Sequence, residues 1–329
     1  ELAWSWGEGV LAYGLWRLHE RLGDPEPRAY LAAYVRRHQR RAVRVSWSDD
    51  TTPGLTAAEL VLAGDPSVRL VLDRVVGYAM TAPRTEAQGL VRHLGQHIPV
   101  WLTPRAWFPD AWVDSLFHFP ITLCRYSRLT GDGRYRDEAA RQVAVFLRNL
   151  QDPATGFVTH AYNDRPRDER VPAFARRAFW ARGNGWALVS LVEVIQELPD
   201  DHALRAELVA RSQRLASALA VAQSADGLFH TVLLEPETYL ETAASGLITY
   251  AFATGARAGL FDASFRAAAE RGMRGLTGTL EQRGDRLEVS GTSLGTNPSA
   301  RARGYARIGR ANQVSYGVGA WLLAASALL

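Results

Sequence analysis

Apolar residues recur every three or four positions along most of the chain. Ala139, Val143, Phe146 and Leu147 form one such stripe, and the leucines between residues 204 and 219 form another. This spacing places the apolar side chains on one face of a helix, and that face must be buried against a neighbour. The pattern predicts about a dozen helices, joined alternately by short turns and by longer loops.

The short turns share a Gly-Asp or Pro-Asp pair. A glycine can end one helix in the left-handed conformation, and an aspartate can cap the next helix. Strand-like segments are few and lie in the long connections. The turns occur at Gly23-Asp24, Gly64-Asp65, Gly131-Asp132 and Pro199-Asp200, with a looser version at 255–262, and the strand-like segments occur at 156–160, 227–231 and 286–290.

Helix pairs that repeat in this way predict an all-α fold. Each pair must stack on its neighbours to bury its apolar face, and six pairs that close on themselves form an (α/α)6 barrel. We expect residues 1–329 to form a single domain of this kind, with short β segments in the long loops. The long loops then gather at one end of the barrel, where function is expected.

Composition narrows the class of protein. With 329 residues, 47% of them hydrophobic and 22% charged, the chain can bury a large core. The formal net charge of +4 comes from arginines that lie scattered along the helical stretches. This charge favours acidic small molecules, and a nucleic-acid groove is not indicated. Cys124 is the only cysteine, which excludes an intrachain disulfide.

Other features limit location and cofactors. No apolar run reaches membrane-spanning length, and residues 1–4 lack the charged start and apolar core of a signal peptide. We therefore expect a cytoplasmic protein with no membrane partner. We also expect a monomer or homodimer. The histidines show no His-Glu-x-x-His motif, and neither a metal nor another cofactor is expected.

The densest chemistry lies in residues 179–186, Phe-Trp-Ala-Arg-Gly-Asn-Gly-Trp. Arg182 can hold a carboxylate with two parallel hydrogen bonds. Trp180 and Trp186 can wall a sugar ring, and Asn184 adds an amide. The segment predicts a site for a flat, polar, anionic ligand. The alternative is that the two tryptophans belong to the core of a helix that starts nearby.

Candidate carboxylates occur in two other segments, 112–120 and 46–54. Asp114 lies among apolar residues, which should raise its pKa above the ordinary value of about 3.9 and keep a proton on it near neutral pH. Asp49 or Asp50 would raise that pKa further through like-charge repulsion. For each aspartate the alternative is a helix N-cap. His160 lies at the tip of a long loop.

Taken in order, these segments resemble the unsaturated glucuronyl and rhamnogalacturonyl hydrolases of glycoside hydrolase families 88 and 105, and family 105 more closely. The resemblance covers nearly the whole chain, from an aromatic first helix at 4–10 to a last helix at 316–324. Residues 112–114 are similar to the segment that carries the general acid, and residues 180–186 to the binding motif. Residues 239–245 resemble a Glu-x-Ser/Thr helix start, and residues 291–296 a late Gly-Thr loop.

The resemblance implies a glycosidase that acts on small unsaturated oligosaccharides left by polysaccharide lyases. Such an enzyme protonates C4 of the terminal uronate while water adds at C5, so one carboxylic acid can suffice, whereas ordinary glycosidases need two at a fixed separation. Asp114 would be the general acid and base, and Asp49 or Asp50 the second carboxylate. The candidate substrate-binding residues are Trp6, Trp112, His160, Trp180, Arg182, Asn184, Trp186 and Thr292.

Several assignments stay open. The spacing to Gly54 slightly favours Asp49 over Asp50, and the substrate contacts within residues 97–109 are not defined. Two other functions fit the same pattern: another (α/α)6 carbohydrate-active enzyme, such as an inverting glycosidase or a sugar epimerase, or a non-catalytic carbohydrate-binding toroid. The sequence does not specify which sugar follows the unsaturated uronate.

Overall fold

A computed structural model describes residues 2–95, 110–163 and 178–329. Its long helices alternate between an inner ring and an outer layer. The inner helices are α1 (Trp6–Leu22), α3 (Gly54–Leu62), α6 (Pro120–Thr130), α8 (Ala181–Glu197), α10 (Thr242–Arg257) and α13 (Ser315–Leu328). The outer helices among the described residues are α2 (Pro25–Arg40), α4 (Arg69–Thr81), α7 (Gly133–Leu150), α9 (Arg205–Ala222) and α11 (Ser264–Thr277), and two short helices, α5 (Ser115–His118) and α12 (Ala302–Ala306), lie in long connections.

Helix contacts close the inner ring. Going round, α1 packs on α3, α3 on α6, α6 on α8, α8 on α10, α10 on α13, and α13 on α1. Each outer helix packs on the inner helix that precedes it in the chain, as α2 does on α1 and α11 on α10. The predicted (α/α)6 barrel is confirmed. No helix of the described ranges is long and apolar enough to cross a bilayer.

Burial separates the two layers. Residues 181–195 of α8 and 242–255 of α10 are buried on every side, as expected for helices with neighbours all round. The outer helix α11 instead buries one face, which includes Phe265, Ala268 and Leu276. The inner helices therefore form the core of the barrel, and their ends are the places where polar chemistry can reach solvent.

Glycines bring the first and last inner helices close together. A Cβ atom at Gly14 would lie 2.6 Å from the carbonyl oxygen of Gly319. A Cβ atom at Gly319 would lie 2.6 Å from the backbone nitrogen of Leu11. Backbone cannot move aside as a flexible side chain can, so these glycines are packing residues of the α1–α13 contact.

The predicted Gly-Asp turns are confirmed at three positions. Gly23 and Gly131 end α1 and α6 in the left-handed conformation, with φ of 71° and 72°. Asp24 and Asp132 then cap α2 and α7 by accepting backbone N–H groups two residues on. Gly64-Asp65 repeats the arrangement. Pro199-Asp200 differs, because α9 starts only at residue 205, after Leu204.

Short antiparallel strand pairs lie in the long connections. Of the predicted strand-like segments, 286–290 is confirmed, whereas 156–160 and 227–231 contribute only isolated bridges, at Val158 and His230. The pairs in the described residues are β1 (Ala111–Trp112) with β2 (Ala161–Tyr162), β3 (Leu280–Arg283) with β4 (Arg286–Val289), and β5 (Thr292–Ser293) with β6 (Arg310–Ala311).

Candidate active site

The candidate residues meet where the inner helices begin. Trp6 opens α1, Asp49 lies in a 3-10 turn ahead of α3, and Arg182 lies in the first turn of α8. Asp114 directly precedes α5, and Tyr316 lies in the first turn of α13. Helix N-termini carry partial positive charge and unpaired N–H groups, so this end of the barrel favours an anionic ligand.

Asp114 does not cap a helix. It occupies the N-cap position of α5, but its side chain makes no capping hydrogen bond. Instead, its Oδ2 lies 3.1 Å from Nε2 of His160, which the β1–β2 pair brings alongside. The Asp114 side chain is 16% exposed. The capping alternative is therefore wrong for Asp114, and its carboxylate can be reached from the site.

The pKa of Asp114 differs from the prediction. Burial is the largest single effect and raises it, but the charge and hydrogen bond of His160 in its protonated form, with the charges of protonated His93 and His118, outweigh burial. The balance lowers the pKa to about 2. The expected upward shift is wrong because the apolar neighbours are visible in the sequence and the surrounding imidazoles are not. Asp114 is ionised near neutral pH.

Asp49 and Asp50 face different surroundings. The carboxylate of Asp50 accepts hydrogen bonds from the backbone N–H of Ser46 at 2.9 Å and from the indole of Trp47 at 2.8 Å. Oδ1 of Asp49 lies 3.3 Å from Nε2 of His93 and 3.4 Å from Nε2 of His118. Asp50 thus holds the local turn, and Asp49 is the carboxyl that joins the histidine cluster.

The second carboxyl has the opposite pKa shift. Burial, then the charge of Asp114, then that of Asp50, raise the pKa of Asp49 well above its ordinary value. Burial lowers the pKa of His93 to about 3 and that of His118 to about 4, so both imidazoles are neutral near pH 7. The predicted like-charge effect therefore acts on Asp49 rather than on Asp114. Two carboxyls with pKa values moved apart can serve as proton donor and acceptor.

The three imidazoles of the site are held at both ring nitrogens. Each directs Nε2 at one of the two carboxyls and Nδ1 at a hydroxyl group. Such double contacts fix the ring orientation and the tautomer. The Nδ1 partners are Oγ of Ser115 for His93, at 3.2 Å, Oγ1 of Thr52 for His118, and the hydroxyl of Tyr305 for His160, at 2.9 Å.

Trp6 and Trp112 lie against the site. Trp112 stacks on His93, with ring centroids 4.1 Å apart and planes within 10°. Trp6 is partly exposed and stacks on Tyr316, with centroids 4.3 Å apart. Trp6 is partly exposed and Trp112 is 7% exposed, and contact of either indole with a sugar ring stays a prediction.

Trp180 and Trp186 have no exposed face. Their exposed fractions are 1% and 0%. Trp180 stacks on His160 at 4.3 Å, and Trp186 packs against Phe117 at 4.8 Å. The expectation that these two indoles wall the sugar is contradicted, because they form the layer behind the residues that face the site. The core-helix alternative describes them better.

Arg182 is occupied by the protein itself. One terminal nitrogen donates to the carbonyl of Ser293 at 3.0 Å and to its hydroxyl, and the other donates to the carbonyl of Leu294 at 3.1 Å and to Thr296. The guanidinium lies 4.6 Å from the Trp180 ring, and the residue is 1% exposed. The expected fork on a ligand carboxylate is contradicted. Arg182 instead holds residues 293–296 against the start of α8.

Two further residues secure the same segment. Glu241 caps α10 through the N–H of Ala244 and also accepts the N–H of Ser293 at 3.0 Å. The hydroxyl of Tyr316 donates to the carbonyl of Ser293 at 2.7 Å. The Glu-x-Ser/Thr helix start and the Gly-Thr loop noted in the sequence are therefore parts of one buried joint.

Asn184 and Thr292 contact other parts of the protein and have a structural role. The amide of Asn184 donates to the carbonyl of Val158 at 2.9 Å and accepts its N–H at 2.7 Å, so it fixes the segment that leads to His160. Thr292 is fully buried, and a Cβ at Gly317 would lie 2.0 Å from its Oγ1. Neither side chain is exposed to a ligand, which contradicts their expected role in binding.

Sequence reasoning missed four residues of this site: His93, His118, Tyr305 and Glu241 as a partner of Ser293. His118 lies within the segment that carries Asp114, and its spacing of four from Asp114 was an available signal. His93 and Tyr305 stand in no recognisable motif. The predicted contacts within residues 97–109 lie outside the described residues.

The ring of six inner helices is the six-hairpin architecture, and the family and structural matches make the chain a glycoside hydrolase of this architecture. It belongs to Glycosyl Hydrolase Family 88, whose family model matches residues 1–329. The predicted resemblance to families 88 and 105 is confirmed.

Individual relatives agree with this membership. Unsaturated rhamnogalacturonyl hydrolase YesR of Bacillus subtilis is 23% identical over 313 residues, which are 94% of this chain and 84% of that protein. An unsaturated 3S-rhamnoglycuronyl hydrolase of Formosa agariphila is 32% identical over 157 residues, 46% of this chain and 41% of that protein. The crystal structure of a possible GH105 member from Klebsiella pneumoniae is 27% identical, with a TM-score of 0.86 over 99% of this chain and 82% of that chain. The match thus spans less than half of the Formosa enzyme and most of the other two.

Proposed function

We propose that the chain hydrolyses small oligosaccharides that begin with a Δ4,5-unsaturated uronyl residue, the sugar that polysaccharide lyases leave behind. Family membership and the printed activities of the relatives support this substrate class. The observation that carries the proposal is the pair Asp49 and Asp114, two site carboxyls whose pKa values are moved in opposite directions. Two carboxyls with pKa values moved apart in this way can divide the roles of proton donor and proton acceptor.

The reaction needs one proton and one base. A proton adds to C4 of the enol ether, and the ring oxygen shares the positive charge left at C5. Water adds at C5 and gives a proton back to the carboxylate of the pair. The C5 hemiketal then opens, which breaks the bond from C5 to the ring oxygen and leaves a ketone at C5 and a hemiacetal at C1. The hemiacetal breaks and releases the next sugar, so one water is consumed for each bond cleaved.

We assign these steps to the Asp49–Asp114 pair. The raised pKa of Asp49 suits it to donate the proton, and the lowered pKa of Asp114 suits it to act as the base. The side chain of Asp114 is available for catalysis because it makes no capping hydrogen bond, and His160 orients it. The positive ends of the inner helices suit the uronate carboxylate, and Trp6 and Trp112 suit the faces of the sugar rings.

The site geometry weighs against the alternatives. A sugar epimerase would use histidines as bases, but His93, His118 and His160 are engaged at both ring nitrogens. A non-catalytic toroid would need Asp114 as a cap, and it makes no capping bond. An inverting glycosidase is separated from the proposal by the fate of the double bond.

The test follows the ultraviolet absorbance of the double bond in a panel of lyase products, together with release of the partner sugar. We expect absorbance to fall in step with release for at least one product. Asp114→Asn should keep the fold, as judged by circular dichroism, and lose roughly two to four orders of magnitude in turnover. A folded Asp114→Asn variant that loses only a few-fold, or sugar release with the absorbance retained, would contradict the proposal.

The finer expectations remain predictions under the same proposal. They are a single domain over residues 1–329, a cytoplasmic location, a monomer or homodimer, and no nucleic-acid or membrane partner. The panel of lyase products also identifies the sugar that follows the uronate, by the substrate that is consumed fastest.

A further inference from the structure

We infer that Tyr305, on α12, is a positioning residue that fixes the tautomer of His160 and so keeps its Nε2–H directed at Asp114. The inference rests on a chain of hydrogen bonds from Ser299 through Tyr305 and His160 to Asp114. Its catalytic consequence rests on the proposed function of Asp114. The tautomer itself can be measured without any substrate.

Tyr305 is completely buried, with an exposed fraction of 0%. Its hydroxyl oxygen lies 2.9 Å from Nδ1 of His160 and accepts the backbone N–H of Ser299 at 3.0 Å. Its ring is nearly parallel to Trp180, at 15°, and lies 6.0 Å from it. On the other side of the imidazole, Nε2 of His160 lies 3.1 Å from Oδ2 of Asp114. Both ends of the His160 ring are therefore defined.

The hydrogen bonds of the Tyr305 hydroxyl determine which ring nitrogen of His160 is protonated. The hydroxyl of Tyr305 has a single proton, and Ser299 already donates to its oxygen. The proton of Tyr305 is therefore free to go to Nδ1 of His160, which can accept it only when Nδ1 carries no proton. A neutral imidazole then has its proton on Nε2, where it meets the carboxylate of Asp114.

The charged form of His160 fits this arrangement less well. An imidazolium would donate from Nδ1 to the Tyr305 oxygen, which would then accept two hydrogen bonds. The tyrosine proton would be left in a buried place without an acceptor among the described contacts, at a cost of an unmade hydrogen bond. Burial raises the pKa of Tyr305, with Asp114 acting in the same direction, so the hydroxyl keeps its proton.

Loss of the hydroxyl would change what Asp114 faces. The titratable groups that act on Asp114 are His160, His93 and His118, and Asp114 in turn acts on Asp49. Without Tyr305, the proton of His160 can move to Nδ1. The Nε2 lone pair would then face the Asp114 carboxylate, which repels it unless Asp114 takes up a proton. The catalytic pair would lose its charged member.

Nuclear magnetic resonance of ligand-free enzyme with ¹⁵N-labelled histidine measures the tautomer directly. The chain has eight histidines, and the His160 signals are those lost in His160→Gln. We expect the Nε2–H form in the wild type at pH 7 and a mixture with Nδ1–H in Tyr305→Phe. A wild type with Nδ1–H, or a Tyr305→Phe spectrum unchanged at His160, would overturn the inference whatever the enzyme's substrate.

Kinetics supply a second readout on the lyase product that the wild type consumes. Tyr305→Phe should lower kcat roughly 10- to 100-fold, as loss of a partner that orients a catalytic group does, with little change in KM. The acidic limb of its kcat profile should move to higher pH. In a His160→Gln background the same change should have no further effect, because Tyr305 acts through His160.

A matched control tests the loss of a tyrosine hydroxyl as such. Tyr34 is also buried, and its hydroxyl donates to the carbonyl of Ala3 at 2.9 Å, away from the site. Tyr34→Phe should keep the kcat and the His160 signals of the wild type. Additive losses in Tyr305→Phe and His160→Gln, or a rise in KM alone, would show that Tyr305 does not act through His160 and would overturn the inference.

Discussion

Two neighbouring aspartates show how the backbone assigns chemistry to single residues. Asp50 accepts hydrogen bonds from Ser46 and Trp47, and Asp49 faces two histidines. In a 3-10 turn with three residues per turn, adjacent side chains point about 120° apart. Only one of the two carboxyls can therefore reach the cluster, and the sequence pattern alone could not settle which.

The two positions should separate activity from stability. Asp49→Asn is expected to lose most of the turnover and to change the free energy of unfolding by less than roughly 1 kcal/mol, since an amide of the same size replaces a carboxyl whose charged form is disfavoured by burial. Asp50→Asn should retain most of the turnover and lose about 1.5–3 kcal/mol, the range for hydrogen bonds to a charged group. Turnover and urea unfolding of both variants would show this pattern, and the reverse pattern would move the site carboxyl to Asp50.

The shifted pKa values also predict how stability depends on pH. The pKa of His118 is lowered to about 4 in the folded protein. As pH falls from 7 to 5, the unfolded chain binds this proton and the folded protein does not, so stability is lost. Asp49 has the opposite sign, because its raised pKa lets the folded protein bind a proton first.

Variants separate these opposite contributions. His118→Gln should lose less thermal stability than the wild type between pH 7 and 5, by on the order of 1–2 kcal/mol, and Asp49→Asn should lose more. Melting curves at both pH values measure this. If the stability of His118→Gln fell as steeply between pH 7 and 5 as that of the wild type, His118 would not be held neutral in the folded protein.

Residue identities in the site were predictable where a local motif carries them. Asp114 and His160 each stand in a recognisable segment, but their contact spans 46 positions of sequence. Arg182 also stands in a recognisable motif, which predicts a contact with a ligand carboxylate, but its guanidinium donates hydrogen bonds to residues 293–296 instead. The side chains that shift a pKa, and the groups that accept hydrogen bonds from a guanidinium, are distant in sequence and are brought together only by the tertiary structure. Local spacing in the sequence therefore does not predict them.

At the scale of elements, turn chemistry made the helix boundaries predictable. The glycine and aspartate of turns such as Gly131-Asp132 act within a few residues, by a left-handed φ and a side-chain cap. The short strands were less predictable, because segment 156–160 forms only an isolated bridge at Val158. Strand pairing depends on what lies opposite, whereas a helix cap depends on its own neighbours.

The contact between α1 and α13 gives a prediction with an internal control. Gly319→Ala places a Cβ 2.6 Å from backbone atoms of Val10 and Leu11, so we expect a loss of about 1–3 kcal/mol, as for other overpacked cores. Gly77→Ala, on α4, meets nothing within 4 Å and should gain roughly 0.5–1 kcal/mol, because alanine suits a helix better than glycine. Chemical denaturation measures the free energy of unfolding of both variants. Equal effects would mean that α1 and α13 are not closely packed at Gly319.

At the scale of the whole molecule, charged residues stabilise the interior of the barrel and form the candidate site at the N-terminal ends of the inner helices. Deeper among the inner helices, Arg125 of α6 forms ion pairs with Glu59 of α3 and with Glu193 and Glu197 of α8. Buried charges of this kind are costly unless paired, and here they join neighbouring helices. The N-terminal ends of the same helices carry the carboxyl pair. The ring was predictable from helix repeats, but this internal network was not.

The central claim is that the enzyme adds water across the C4–C5 bond and does not attack the anomeric carbon. The most direct measurement is mass spectrometry of early product formed in deuterium oxide and, separately, in oxygen-18 water. We predict deuterium at C4, oxygen-18 at C5 over a time course short enough to limit carbonyl exchange, and no label in the oxygen of the released sugar. Oxygen-18 entering first at the anomeric carbon, with the double bond intact in the released uronate, would contradict the account.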